Sequence, residues 1–151
     1  MSHQLIVKSD IKINAPLAKV WDALVNPQKT KMYMFGCEAV SDWKVGNPLI
    51  WRAKVEGKEV VFVKGIVLHI QTNRQLKYSV IDPNASYPDV PENYLNVTYD
   101  LSEKGGVTHL MVLQDGFENA AEGEKRYIDT YNKGEGWNSI LVAIKQLVEG
   151  K

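Results

Sequence analysis

Trp51, Tyr78, Tyr99, Tyr127, Tyr131 and Trp137 are the residues through which this sequence is best equipped to hold another molecule. An indole or phenol ring presents a large apolar face together with one N–H or O–H that can orient a bound molecule. For each ring the competing reading is plain core packing, which accounts for most aromatic side chains of a domain this size. Tyr127 and Tyr131 are expected at the entrance of any cavity, because they fall near the start of a long C-terminal helical stretch.

Residues that would carry catalysis are thinly spread. His69 and His109 each stand in a β-prone run, where either would become a general base if Asp100 or Asp115 lay within hydrogen-bond reach. With no fixed-spacing partner, a hydrogen-bonded or surface role is preferred for both, and His3 sits in the N-terminal tail. Asp42 and Arg52 would suit a polar head group or each other. The turn at Gly46-Asn47-Pro48 favours a third role for Asp42, the capping of backbone amides. Cys37 has no adjacent base and reads as inert packing. One cysteine and three dispersed histidines give no metal-ligand spacing, so the sequence predicts no catalytic residue, no metal and no cofactor.

The elements that must position the aromatic set follow from periodicity. Residues 5–13 alternate well enough for a first strand. Ala15-Pro16 opens a helix whose apolar residues Leu17, Val20, Trp21 and Leu24 share one face, and Asn26-Pro27 closes it. A second short helix fits 28–35. Beyond Gly36 come short β-prone runs at 38–41, 49–55, 59–70, 75–81, 94–101 and 107–117, separated by Gly, Asn and Pro turns. The stretch 123–148 carries Tyr127, Tyr131, Gly134, Trp137, Leu141, Ile144 and Val148 at three- and four-residue steps. It predicts one helix nearly 40 Å long at about 1.5 Å per residue. Gly134 and Gly136 weaken its middle. Three prolines confine 82–93 to a surface loop, and 118–123 offers little to anchor it and is expected to be flexible.

The chain has 151 residues with 44% hydrophobic and 24% charged side chains, which suits one ordinary domain spanning 1–151. Eighteen basic residues balance eighteen acidic ones without a basic stripe, so a nucleic-acid partner is not expected. No apolar run reaches the roughly 18 residues of a membrane span and no secretion signal is visible, so a cytoplasmic location is expected.

The order strand, two helices, six strands, helix resembles the α+β helix-grip fold of the START-like and birch-pollen-allergen-like superfamily, a curved antiparallel sheet wrapped around a C-terminal helix. Ala15-Pro16 with Val20-Trp21, then Tyr33-Met34-Phe35-Gly36-Cys37, Asp42-Trp43-Lys44-Val45-Gly46 leading to Trp51, and Gly136-Trp137 are similar to the heat-shock protein 90 ATPase activator homologue family. Tyr33, where distant members often carry tryptophan, and Asn47, where many have a second glycine, point to a subfamily with its own pocket. The resemblance implies a cavity between sheet and helix, used by many relatives for apolar or amphipathic small molecules. It also implies the domain by itself, without the separate N-terminal domain of the eukaryotic co-chaperones. A non-catalytic binding protein is the leading expectation. The alternatives are a module touching a chaperone or other protein, and a polyketide-cyclase-like enzyme.

Overall fold

The computed structural model describes residues 5–150, so His3 lies outside the described residues. Strand β1 (Val7–Ile13) leads into helices α1 (Leu17–Val25) and α2 (Pro27–Tyr33), and six strands follow: β2 (Glu38–Val40), β3 (Pro48–Val55), β4 (Lys58–Gln71), β5 (Gln75–Val80), β6 (Leu95–Lys104) and β7 (Val107–Asp115). All neighbours are antiparallel in the order β1-β7-β6-β5-β4-β3-β2. Register shifts at Trp51/Arg52 and Val67/His69 place an extra residue on one strand of a pair, which bends the sheet. This is the helix-grip arrangement.

Alternation along the strands makes the inner face. Leu95, Val97, Tyr99 and Leu101 of β6 and Leu110 and Val112 of β7 are buried, while the intervening Asp100 and Ser102 are exposed. The expected stripe of α1 holds: Val20, Trp21 and Leu24 are buried. Asn26 caps α2 by accepting from the Gln28 amide at 3.0 Å. Left-handed backbone at Phe35 (φ 53) and Gly36 (φ 82) then turns the chain towards β2.

The predicted single C-terminal helix is two. Helix α3 (Gly123–Tyr131) and helix α4 (Asn138–Glu149) are separated by a break in which Asn132, Lys133, Gly134 and Gly136 all have positive φ. Residues 127–148 keep a helical spacing of apolar side chains, yet a run of left-handed residues cannot continue a right-handed helix. The break lets Gly136 press against β1: a β-carbon there would meet Ser9 Oγ at 3.0 Å and Val7 Cγ1 at 3.2 Å. Helix α4 packs on β1, α1 and α2, burying Leu141, Ile144 and Val148.

The expectation that little anchors 118–123 is corrected. Phe117 is fully buried, the Ala121 amide donates to Asn93 Oδ1 at 2.8 Å, and Arg126 donates to the carbonyls of Asn93 and Ala121. The anchor comes from the proline-containing loop, a long-range partner that local composition does not reveal. That loop lies over the surface as expected, with Arg126 stacked 4.5 Å above the Tyr87 ring.

Candidate functional site

The sheet, the α2–β2 turn and the helix break enclose a half-open cavity of about 550 Å³. Trp51, Val63, Tyr78 and Val97 form its floor from the inner face of the sheet. Met34, Phe35 and Cys37 form one wall and Gly136, Trp137 and Ile140 the other. Asp129, Thr130, Asn132 and Ser139 add a polar edge, and Phe62 completes the lining with Val80 and Gln114. Its volume is within the usual range of small-molecule sites, and its surface is mainly apolar.

The aromatic set divides in two. Trp51, Tyr78, Tyr99 and Trp137 form a continuous chain with centroid separations of 6.0, 5.8 and 6.0 Å. Three of these rings line the cavity, while Tyr99 lies behind them with its hydroxyl 3.0 Å from that of Tyr78. Tyr127 and Tyr131 contribute nothing to the lining. Tyr127 packs edge-on to Phe117 and stacks on Tyr131, which is 45% exposed.

Burial raises the Tyr33, Tyr78 and Tyr99 hydroxyls well above their ordinary value, because a phenolate has no solvation there. They are neutral hydrogen-bonding groups at any physiological pH. Burial likewise raises the Cys37 thiol, consistent with inert packing although the residue lines the cavity.

The remaining candidates lie elsewhere. His109 meets neither Asp100 nor Asp115: its Nε2 is 2.6 Å from Asp10 Oδ2, on the opposite strand face from buried Leu110. His69 is exposed. Asp42 accepts from the Lys44 amide and from Asn47 Nδ2, so it organises the turn, and Arg52 pairs with Glu59 at 3.2 Å.

Gln114 was missed by sequence reasoning. It is 8% exposed, and its Oε1 accepts from Trp137 Nε1 at 2.9 Å. The alternation Leu110, Val112, Gln114 was the available signal, since it places a polar side chain on the dry face of β7. Phe35, 85% exposed at the cavity edge, had no such signal.

A second cavity of about 640 Å³ lies on the outer sheet face, bordered by Ile50, Ile66, Pro91 and Tyr94. Though larger, it is the weaker candidate: Lys64 pairs with Asp89, which also accepts from the Tyr94 hydroxyl at 2.6 Å, so these polar groups are already satisfied.

The Activator of Hsp90 ATPase homolog 1-like protein family matches residues 14–149, nearly the whole chain. The chain belongs to this family. Among solved structures, the family member described here is similar to ChR145 from Cytophaga hutchinsonii, with 36% identity, 99% of this chain and 97% of that one covered, and a TM-score of 0.74. MLL2253 from Mesorhizobium loti is 20% identical over 97% and 98% of the two chains, with a TM-score of 0.70. CalU16 from Micromonospora echinospora is 20% identical over 95% and 75%, with a TM-score of 0.67. At such identities the last two show the fold alone. No curated protein matches the chain. No helix among the described residues is long and apolar enough to cross a membrane.

Proposed function

We propose that this activator-homologue domain is a non-catalytic binding protein that holds a small apolar or amphipathic molecule in the cavity between sheet and helix break. The observation that carries the reading is the half-open, mainly apolar space of about 550 Å³ floored by Trp51 and Tyr78. Burial of a flat apolar molecule there would be favoured by roughly 25 cal/mol for each Å² removed from water. An acid–base reaction needs two convergent titratable groups. Asp129 at the edge and the buried Cys37 thiol do not supply that pair, which favours binding over cyclase-like chemistry.

The test is a titration with Nile red, an uncharged apolar dye, against the parent and Val63→Trp, whose indole would fill the floor of the cavity. Saturable binding with a blue-shifted emission is expected for the parent and its loss for the folded variant. No binding to the parent, or equal binding to both, contradicts the reading. A second reading, docking of a protein at the edge, draws on Phe35 and Met32, which are 85% and 66% exposed. A family member that binds no dye but loses a protein partner on Phe35→Ser would favour it.

A further inference from the structure

Two side-chain donors of the cavity lining have no hydrogen-bond partner among the described residues. Trp137 Nε1 is donor-only, so the Gln114 atom it meets at 2.9 Å must be the carbonyl oxygen. This fixes the amide, and Gln114 Nε2, on a side chain 8% exposed, has no hydrogen-bond partner among the described residues. Trp51, 5% exposed and on the same lining, also has an indole N–H without a partner among them. Tyr78 and Tyr99 share one hydrogen bond, so the pair retains one further hydroxyl proton. Neither Gln114 Nε2 nor the Trp51 indole nitrogen is sealed off, since Arg52 Nε is the one buried side-chain polar atom without a hydrogen-bond partner among the described residues, so both donors stay within reach of solvent and can be met by a bound molecule that accepts.

The helix break adds to this. Helix α4 has no side-chain cap, and the Ser139 and Ile140 amides of its first turn have no partner among the described residues. Both residues line the same cavity. Of the side-chain acceptors, Gln114 Oε1 is used, the Tyr78 hydroxyl shares its bond with Tyr99, and Asp129, Thr130, Asn132 and Ser139 lie at the edge. No lysine, arginine or histidine lines the cavity, and Asp129 is its one carboxylate. An ionised ligand head would be desolvated without a counter-charge, which is far costlier than burying a neutral carbonyl that gains hydrogen bonds.

From these unpaired donors we infer that the molecule held in the cavity carries an uncharged carbonyl oxygen on a flat apolar body, with the oxygen received by Gln114 Nε2 or by the Trp51 indole, which stand on strands β7 and β3. This rests on the binding reading above and specifies its ligand class. The carbonyl accepts, the rings of Trp51, Tyr78 and Trp137 cover the apolar part, and the open edge leaves polar substituents in water.

The test compares three naphthalenes of one shape by isothermal titration: 2-acetylnaphthalene, 2-isopropenylnaphthalene, which replaces C=O by C=CH₂, and 2-naphthoate. The parent should bind the ketone about three- to tenfold more tightly than the alkene, the value of one net hydrogen bond, and should bind the anion most weakly. Trp51→Phe keeps the ring and removes the N–H. Gln114→Met combined with Trp137→Phe removes the amide without releasing the indole N–H in its place. The variant that removes the receiving donor, once shown to be folded by circular dichroism, should narrow the preference for the ketone; if the double variant does not fold, the shift of the Gln114 side-chain amide signal of the parent on addition of the ketone but not the alkene decides for that donor. Equal binding of ketone and alkene by the parent overturns the inference while leaving the cavity reading intact, as does a preference unchanged in both folded variants. Tightest binding of the anion overturns the uncharged class. Failure of all three to bind overturns both readings.

Discussion

Buried tyrosine hydroxyls in the core, that of Tyr78 also lining the cavity, give the molecule a pH limit. The Tyr33 hydroxyl donates to the Ala23 carbonyl at 2.8 Å, and those of Tyr78 and Tyr99 share a bond, all with ionisation raised by burial. In the unfolded chain tyrosine ionises near pH 10. Above that the folded state binds more protons than the unfolded one, and stability falls as pH rises. The melting temperature should therefore stay level with respect to these groups up to about pH 10 and drop beyond it, less steeply in Tyr78→Phe. Trp137 is the other residue with a measurable role. It is 8% exposed, packs edge-on to Tyr99 and bonds Gln114. Trp137→Ala should cost about 3–5 kcal/mol in a denaturant melt, and a loss near zero would show that the ring does not fasten the helix break to the sheet.

Among the elements, those with a strict local period were legible and those made by long-range contacts were not. Alternation in 95–101 identified β6 and its two faces, and the three- and four-residue steps identified α1 and α4. The helix break escaped because Tyr127, Tyr131, Gly134 and Trp137 recur at three- and four-residue steps across it, while the deciding fact, positive φ at Asn132, Lys133, Gly134 and Gly136, has no period. The same break explains why Tyr127 and Tyr131 stand apart from the cavity while Trp137 reaches it. The anchor of 118–123 depends on Asn93, 28 positions from Ala121. Asn93 is buried and also donates to the Pro88 carbonyl at 2.7 Å, so one side chain ties the surface loop to the entry of α3. Asn93→Ala should destabilise by about 1–3 kcal/mol and convert a slowly exchanging Ala121 amide into a fast one. Fast exchange already in the parent would show that the anchor does not hold in solution.

For the molecule as a whole, the wrap of seven antiparallel strands around a C-terminal helix was readable from element order, and it dictates a hollow between sheet and helix. What occupies that hollow was only half readable. Trp51, Tyr78 and Trp137 were marked by their chemistry, whereas Phe35 and Phe62 come to the edge through backbone geometry and sheet curvature that single residues do not encode. The proposed ligand binds in the inner cavity and not in the outer groove. Nuclear magnetic resonance of ¹⁵N-labelled protein titrated with 2-acetylnaphthalene separates the two, because indole and amide side-chain N–H signals report each site directly. With the ligand in the cavity, the Trp51 and Trp137 indoles and the Gln114 side-chain amide should shift together and saturate together. Shifts confined to the backbone amides of Ile50, Ile66 and Tyr94, or no saturable shift at all, would contradict it.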